Sequence, residues 1–325
     1  MESITVTVPA KLVLFGEYMV LRGFSATGTT LQDNHHIQIE ERPAGLHAPL
    51  IQCQTHEDID VDKSVQYVEK LWRAVLSQLY IPHCGVSLTY TSSFPPHYGW
   101  GGSSAIALSL IVLGYHIQQP GSAIDIVPQK LWRDYLLIKE KCGLAGSALD
   151  AYCQIKGGSW IPYTMGQDLQ VEACDPRYFL NFMKTCSVYF IPTHQKANSE
   201  AEATRFCQSE IIQNRLQYYE DVMAQLLSAI TRCDFESFKR AADELTDFIF
   251  SYVQAPLNYV HFFNKVRKWV GAAGVLKPCG ALGGDGLLLF VREGDGGLLS
   301  VLRQNEILPN PLKLGGSPLC VQRKA

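Results

Sequence analysis

The segment Gly99-Trp100-Gly101-Gly102-Ser103-Ser104-Ala105 runs straight into the apolar stretch Ile106 to Leu113. Three glycines let a backbone curl closely around a ligand, and two hydroxyls stand where loop should turn into helix. The first turn of a helix presents unpaired N–H groups and the positive end of the helix dipole, so a glycine-rich loop feeding a helix N-terminus can hold phosphate. Taken alone, the segment fits a turn with serine helix caps equally well. Three other segments carry reactive residue types. Pro9-Ala10-Lys11-Leu12-Val13-Leu14-Phe15-Gly16-Glu17-Tyr18 offers a cation and a carboxylate. Gly146-Ser147-Ala148-Leu149-Asp150 ends on a carboxylate that can accept a proton or cap a helix. Lys277-Pro278-Cys279-Gly280-Ala281-Leu282-Gly283-Gly284-Asp285-Gly286 is a second glycine-rich loop.

The elements that must position these residues follow from periodicity. Ile4 to Val8, Lys11 to Phe15, Ile37 to Glu40, Gly85 to Tyr90, Ser159 to Tyr163, Ser187 to Ile191, Leu287 to Val291 and Leu319 to Gln322 read as strands. Asp62 to Leu79 reads as a helix with Val65, Val68, Leu71, Trp72 and Val75 on one face. Further helices are expected over Ser104 to Ile117, Pro128 to Lys141, a short piece from about Ser147, Ala201 to Thr231, Phe235 to Tyr252, Asn258 to Val270 and Gly297 to Asn305. Mixed strands and helices in both halves predict an α+β protein of two domains, 1–180 and 181–325.

Composition narrows the partners. The chain has 325 residues, 47% hydrophobic and 18% charged, which suits a globular protein with a sizeable interior. A net charge of −3 without a basic run argues against nucleic acid or an anionic membrane as partner. No apolar stretch has the length of a membrane span, and Met1 to Val6 lacks the basic start of a signal peptide. The ten cysteines form no CxxC pair, so reduced thiols and a cytoplasmic location are expected. His35-His36 has no third and fourth ligand at metal-site spacing and reads as structural or solvated.

Together, in this order and over nearly the whole chain, the four segments resemble the motifs of the GHMP small-molecule kinases. The stretch Ser147 to Gly158 is similar to that family's Ser-Gly-x-Asp…Gly-Gly segment, and Thr193 to Ser199 to its Thr-Gly-x-Lys-x-x-Thr/Ser segment. The resemblance implies a two-domain GHMP fold: an N-terminal ribosomal-S5-like domain that binds ATP and a C-terminal ferredoxin-like domain with extra helices. It implies ATP and Mg²⁺, a small-molecule acceptor, and a monomer or homodimer. Gly16-Glu17-Tyr18 and Gly280 to Asp285 resemble the phosphomevalonate kinase branch most, which implies 5-phosphomevalonate as acceptor. Mevalonate is the alternative, followed by a sugar or a nucleotide-binding homologue without catalysis.

The site residues follow from the same resemblance. Asp150 is implied as the base and Lys11 as its partner. Gly99, Gly101, Gly102, Ser103, Ser104 and Ala105 are implied as the ATP loop, with Ser103 or Ser104 on Mg²⁺. Glu140 is either a Mg²⁺ ligand or a solvated helix residue. Glu17, Tyr18, Lys196, Ser199, Gly283, Gly284 and Asp285 are candidates for the acceptor side. Four departures stand out: Ala10, Ala148 and Leu282 each replace a glycine, and Trp100 with Gly102 alters the loop spacing.

Overall fold

The computed structural model describes residues 3–42, 50–53, 61–82, 84–95, 98–119, 126–169, 176–193, 206, 215–279 and 286–323. Within these the chain divides into two compact units that are interleaved in sequence. One comprises Met1–Leu12, Gly28–Glu172 and Leu314–Ala325; the other comprises Val13–Thr27 and Ala173–Lys313. An expected cut at 180/181 would assign 13–27, 173–180 and 314–325 the other way.

The first unit is built on a six-stranded sheet. Its strands are β1 (Ser3–Phe15), β2 (Ala26–Arg42), β3 (Leu50–Cys53), β4 (Gly85–Ser92), β5 (Ile161–Tyr163) and β10 (Cys320–Arg323), in the order β10-β1-β2-β4-β3 with β5 paired to β2. β10 lies antiparallel to β1, Ile4 opposite Arg323 and Thr7 opposite Cys320. β2 and β4 are antiparallel, with Ile37 opposite Tyr90 and Ile39 opposite Leu88, all buried. Among the described residues, four helices accompany the sheet: α1 (Val61–Gln78), α2 (Gly102–Gln118), α3 (Pro128–Lys141) and α4 (Leu149–Lys156). α2 is apolar on all sides, and Ala107 to Leu113 is continuously buried, so it is a core helix with no solvent stripe. α3 has the bounds the periodicity predicts, and Pro128 opens it in the first turn, where a missing N–H costs nothing.

The second unit carries a four-stranded antiparallel sheet of β6 (Cys186–Pro192), β7 (Gly274–Cys279), β8 (Gly286–Arg292) and β9 (Asn310–Pro311), in the order β7-β8-β6-β9. Its helices are α5 (Arg177–Phe182), α6 (Leu216–Thr231), α7 (Phe235–Tyr252), α8 (Leu257–Val270) and α9 (Gly297–Gln304). Asp234 caps α7 by accepting the Ser237 N–H at 3.0 Å. α7 turns Phe235, Phe238, Ala241, Ala242, Leu245 and Ile249 inward at helical spacing. Phe238 meets Phe15, Phe182 and Phe290 at ring-centroid distances of 5.9, 4.6 and 5.2 Å. The expected helix over 201–231 is described over Leu216–Thr231. Among the described residues, no helix is long and apolar enough to cross a membrane.

Candidate functional site

The loop before α2 is shaped by its glycines. Gly99 and Gly101 have φ of +68° and +91°. At Gly101 a Cβ would lie 2.8 Å from Gln154 Nε2 and 2.9 Å from Lys11 Cγ, so only glycine fits. Gly101 is the N-cap of α2 and makes no side-chain cap bond, and no acidic residue sits in the helix's first turn. The N–H groups of Gly102, Ser103 and Ser104 thus have no intrahelical partner. Trp100 is buried, with its ring centroid 4.7 Å from Phe94 and 5.1 Å from Tyr98, so it fills core beneath the loop.

Buried polar groups pin this loop from below. The Trp100 carbonyl accepts the Lys11 N–H and the His35 Nε2–H, both at 3.1 Å. A carbonyl only accepts, so Nε2 of His35 carries the proton, and Nδ1 accepts the Tyr90 hydroxyl at 2.6 Å. Burial pushes the His35 pKa down to about 4; the bond to Trp100 opposes this, while the charge on Lys11 and then His36 add to it. From α1, the Tyr67 hydroxyl donates to the Ser103 carbonyl at 3.1 Å. Burial pushes that phenol up to about 12, against a hydrogen bond from the Ser103 side chain, so it remains a donor at neutral pH.

The two serines separate. Ser104 is buried, with Oγ 2.9 Å from the Gly101 carbonyl and 2.8 Å from Gln154 Oε1. Ser103 is exposed.

Lys11 and Asp150 meet. Lys11, on β1, is buried, and its Nζ lies 2.9 Å from Asp150 Oδ1, while the Asp150 side chain is 38% exposed. A buried ammonium needs a counter-charge, and this one has it from a carboxylate that still faces solvent. Asp150 occupies the first turn of α4, whose N-cap is Ala148 at φ +67°. That conformation costs a residue with a Cβ about 1 kcal/mol, so the helix that presents Asp150 starts from a strained position where the resembled motif has glycine.

Glu140 is exposed in the last turn of α3. Among the described residues, no three His, Cys, Asp or Glu side chains form a group that could hold a metal, so Glu140 joins no such cluster. The chemistry still suits Mg²⁺ carried by a nucleotide, because that ion keeps several waters and takes few protein oxygens.

In the second unit, Gly16, Glu17 and Tyr18 line a cleft of about 400 Å³, measured with its open mouth. Its other walls include Phe15, Tyr219, Leu245, Ile249 and Lys277. Lys277 is buried, pairs with the Glu17 carboxylate and donates to the Pro278 carbonyl. Burial and then Glu17 raise the Tyr219 phenol pKa. Gly16 has φ +93°, and a Cβ there would come within 2.6 Å of Ala26 Cα. Tyr18 is buried with φ +61°, its ring centroid 5.3 Å from that of Phe206 with the planes tilted by 41°. Lys196, Ser199, Gly283, Gly284 and Asp285 lie outside the described residues.

Gln154, His35 and Tyr90 were missed as site residues. Gln154 could have been found, since it stands four residues after Asp150 on the same helix. His35 sits at even spacing from Ile37 and Ile39 on β2, so extending that alternation backward places it on the buried face.

Solved structures share this architecture over almost the full chain. The mevalonate kinase of Methanococcus jannaschii is 14% identical, with 95% of this chain and 98% of that one covered at a TM-score of 0.68. The mevalonate diphosphate decarboxylase of Enterococcus faecalis is 14% identical, with 99% of each chain covered at 0.67. The galactokinase of Lactococcus lactis, solved with galactose, is 12% identical, with 98% and 95% covered at 0.68. This is the GHMP kinase fold. No family model and no curated protein sequence matches the chain. In the first unit of this GHMP fold, the glycine loop, Lys11 and Asp150 come together, as the geometry above describes.

Proposed function

We propose that the chain is an ATP- and Mg²⁺-dependent small-molecule kinase. One observation carries the reading: the N-terminus of α2 opens from a left-handed glycine packed against Lys11, whose ammonium holds Asp150 at 2.9 Å. Phosphoryl transfer asks for positioning and charge neutralisation more than for covalent chemistry. The N–H groups of 102–104 suit the nucleotide phosphates. Asp150 orients the acceptor oxygen, a 5-phosphate oxygen in 5-phosphomevalonate, and takes its proton where that oxygen carries one, as it attacks the terminal phosphorus of ATP; the bond to the bridging oxygen breaks and ADP leaves. Lys11 pairs with Asp150 and offsets charge on the transferred group. Mg²⁺, with Ser103 as its protein hydroxyl, would neutralise phosphate charge.

Under this reading Glu17, Tyr18, Lys196, Ser199, Gly283, Gly284 and Asp285 are the candidates for the acceptor side. The acceptor is 5-phosphomevalonate, from the resemblance of Gly16-Glu17-Tyr18 and Gly280 to Asp285. Mevalonate is second, supported by the name of the archaeal structural neighbour. The test is Mg–ATP consumption with 5-phosphomevalonate, mevalonate or galactose. Stimulation by 5-phosphomevalonate is expected. Stimulation by another acceptor alone would replace the substrate, and ATP binding without turnover on any acceptor would end the enzyme reading.

A further inference from the structure

We infer that Gln154 is a positioning residue of the phosphate loop, and that it holds the Ser104 hydroxyl and the Gly101 carbonyl inward so that the loop N–H groups face the nucleotide. The inference rests on the kinase reading above. Gln154 is fully buried. Its Nε2 donates to the Pro9 carbonyl at 3.1 Å and to the Gly101 carbonyl at 3.0 Å, while its Oε1 faces Ser104 Oγ at 2.8 Å. The two carbonyls can only accept, which fixes the amide nitrogen toward them. One side chain therefore ties together the strand bearing Lys11, the loop that opens α2, and α4, where Asp150 lies one turn earlier.

The consequence for the ligand comes from peptide geometry. The Gly101 carbonyl lies within hydrogen-bond reach of three donors: the Ala105 N–H, Gln154 Nε2 and Ser104 Oγ. In a trans peptide the carbonyl and the next N–H point in opposite directions. Holding the Gly101 carbonyl inward thus aims the Gly102 N–H outward, as the first donor of the cradle. A buried amide is costly unless its bonds are made, so a hydrophobic residue would serve packing here and leave the loop unrestrained.

The test compares the full-length chain with Gln154→Met, which keeps the volume and removes the amide. Two readouts are needed: the dissociation constant for Mg–ATP, and hydrogen exchange at the amides of 101–104 without nucleotide. The inference expects about tenfold weaker Mg–ATP binding and faster exchange confined to the loop, with Tm lowered by only a few degrees. Ser104→Ala should show a smaller change in the same direction, and the double variant should be no worse than Gln154→Met. Loop exchange and affinity within about twofold of wild type would overturn the inference. Should Gln154→Met not fold, Ser104→Ala decides by the same readouts. A wild-type chain that binds no Mg–ATP would sink the kinase reading, while loop exchange, which needs no nucleotide, would still settle the hold of Gln154.

Discussion

Lys11 and Asp150 divide one task by burial. The ammonium is enclosed and the carboxylate remains partly in water, so the carboxylate is the member that can meet an acceptor oxygen. Asp150→Asn keeps the shape and removes the base. Turnover should fall by roughly a hundredfold or more, with Mg–ATP affinity little changed, as steady-state kinetics beside calorimetry would show. His35 bears on stability. The unfolded chain takes up its proton near pH 6.5 and the folded one only near 4, so between these values the unfolded state binds more protons. His35 therefore contributes fully above 6.5, and its contribution is lost as pH falls toward 4, by up to about 3 kcal/mol. Urea midpoints measured near pH 7 and near pH 4.5 should fall less steeply with acid in His35→Gln than in wild type. Equal slopes would remove His35 from that role.

At the scale of elements, the loop and α2 act as one piece. Gly101→Ala places a Cβ at φ +91° against Gln154 and Lys11. It should cost about 2 kcal/mol or more and weaken Mg–ATP binding, read by thermal melts and titration. Much of this was legible in the sequence. α3 and α7 have the bounds their periodicity gives, because each has one apolar face and a clear start, Pro128 in one and Asp234 in the other. β7 was not legible. All six of its residues are buried, so it shows no alternation, and it contains Lys277 and Pro278. Proline is tolerated there because β7 is an edge strand. β2 was legible only at Ile37 to Glu40, since its earlier half is threonine-rich and polar yet runs from Ala26. Lys11 and Asp150 were readable as residues, and the spacing of four between Asp150 and Gln154 was there to be used. The network through His35 was not, because it depends on a Trp100 carbonyl that only the folded loop brings to β1 and β2.

For the whole molecule, the interleaving of the two units has a consequence. The Leu319 N–H donates to the Gln154 carbonyl at 3.0 Å, the Thr30 hydroxyl donates to the Gly316 carbonyl at 2.7 Å, and β10 pairs with β1. A fragment of residues 1–180 lacks all of these and leaves Phe15 without Phe238 and Phe290. It should show no cooperative thermal transition by circular dichroism; a sharp one would mean that the C-terminal segment is dispensable. The central claim is phosphoryl transfer to a small acceptor at Asp150. Its most direct test is acceptor-stimulated ADP formation from Mg–ATP, measured on wild type and Asp150→Asn side by side. The account predicts stimulated turnover in wild type and its near loss in the variant at similar ATP affinity. Equal turnover in both, or ATP binding that no acceptor converts to ADP, would contradict it.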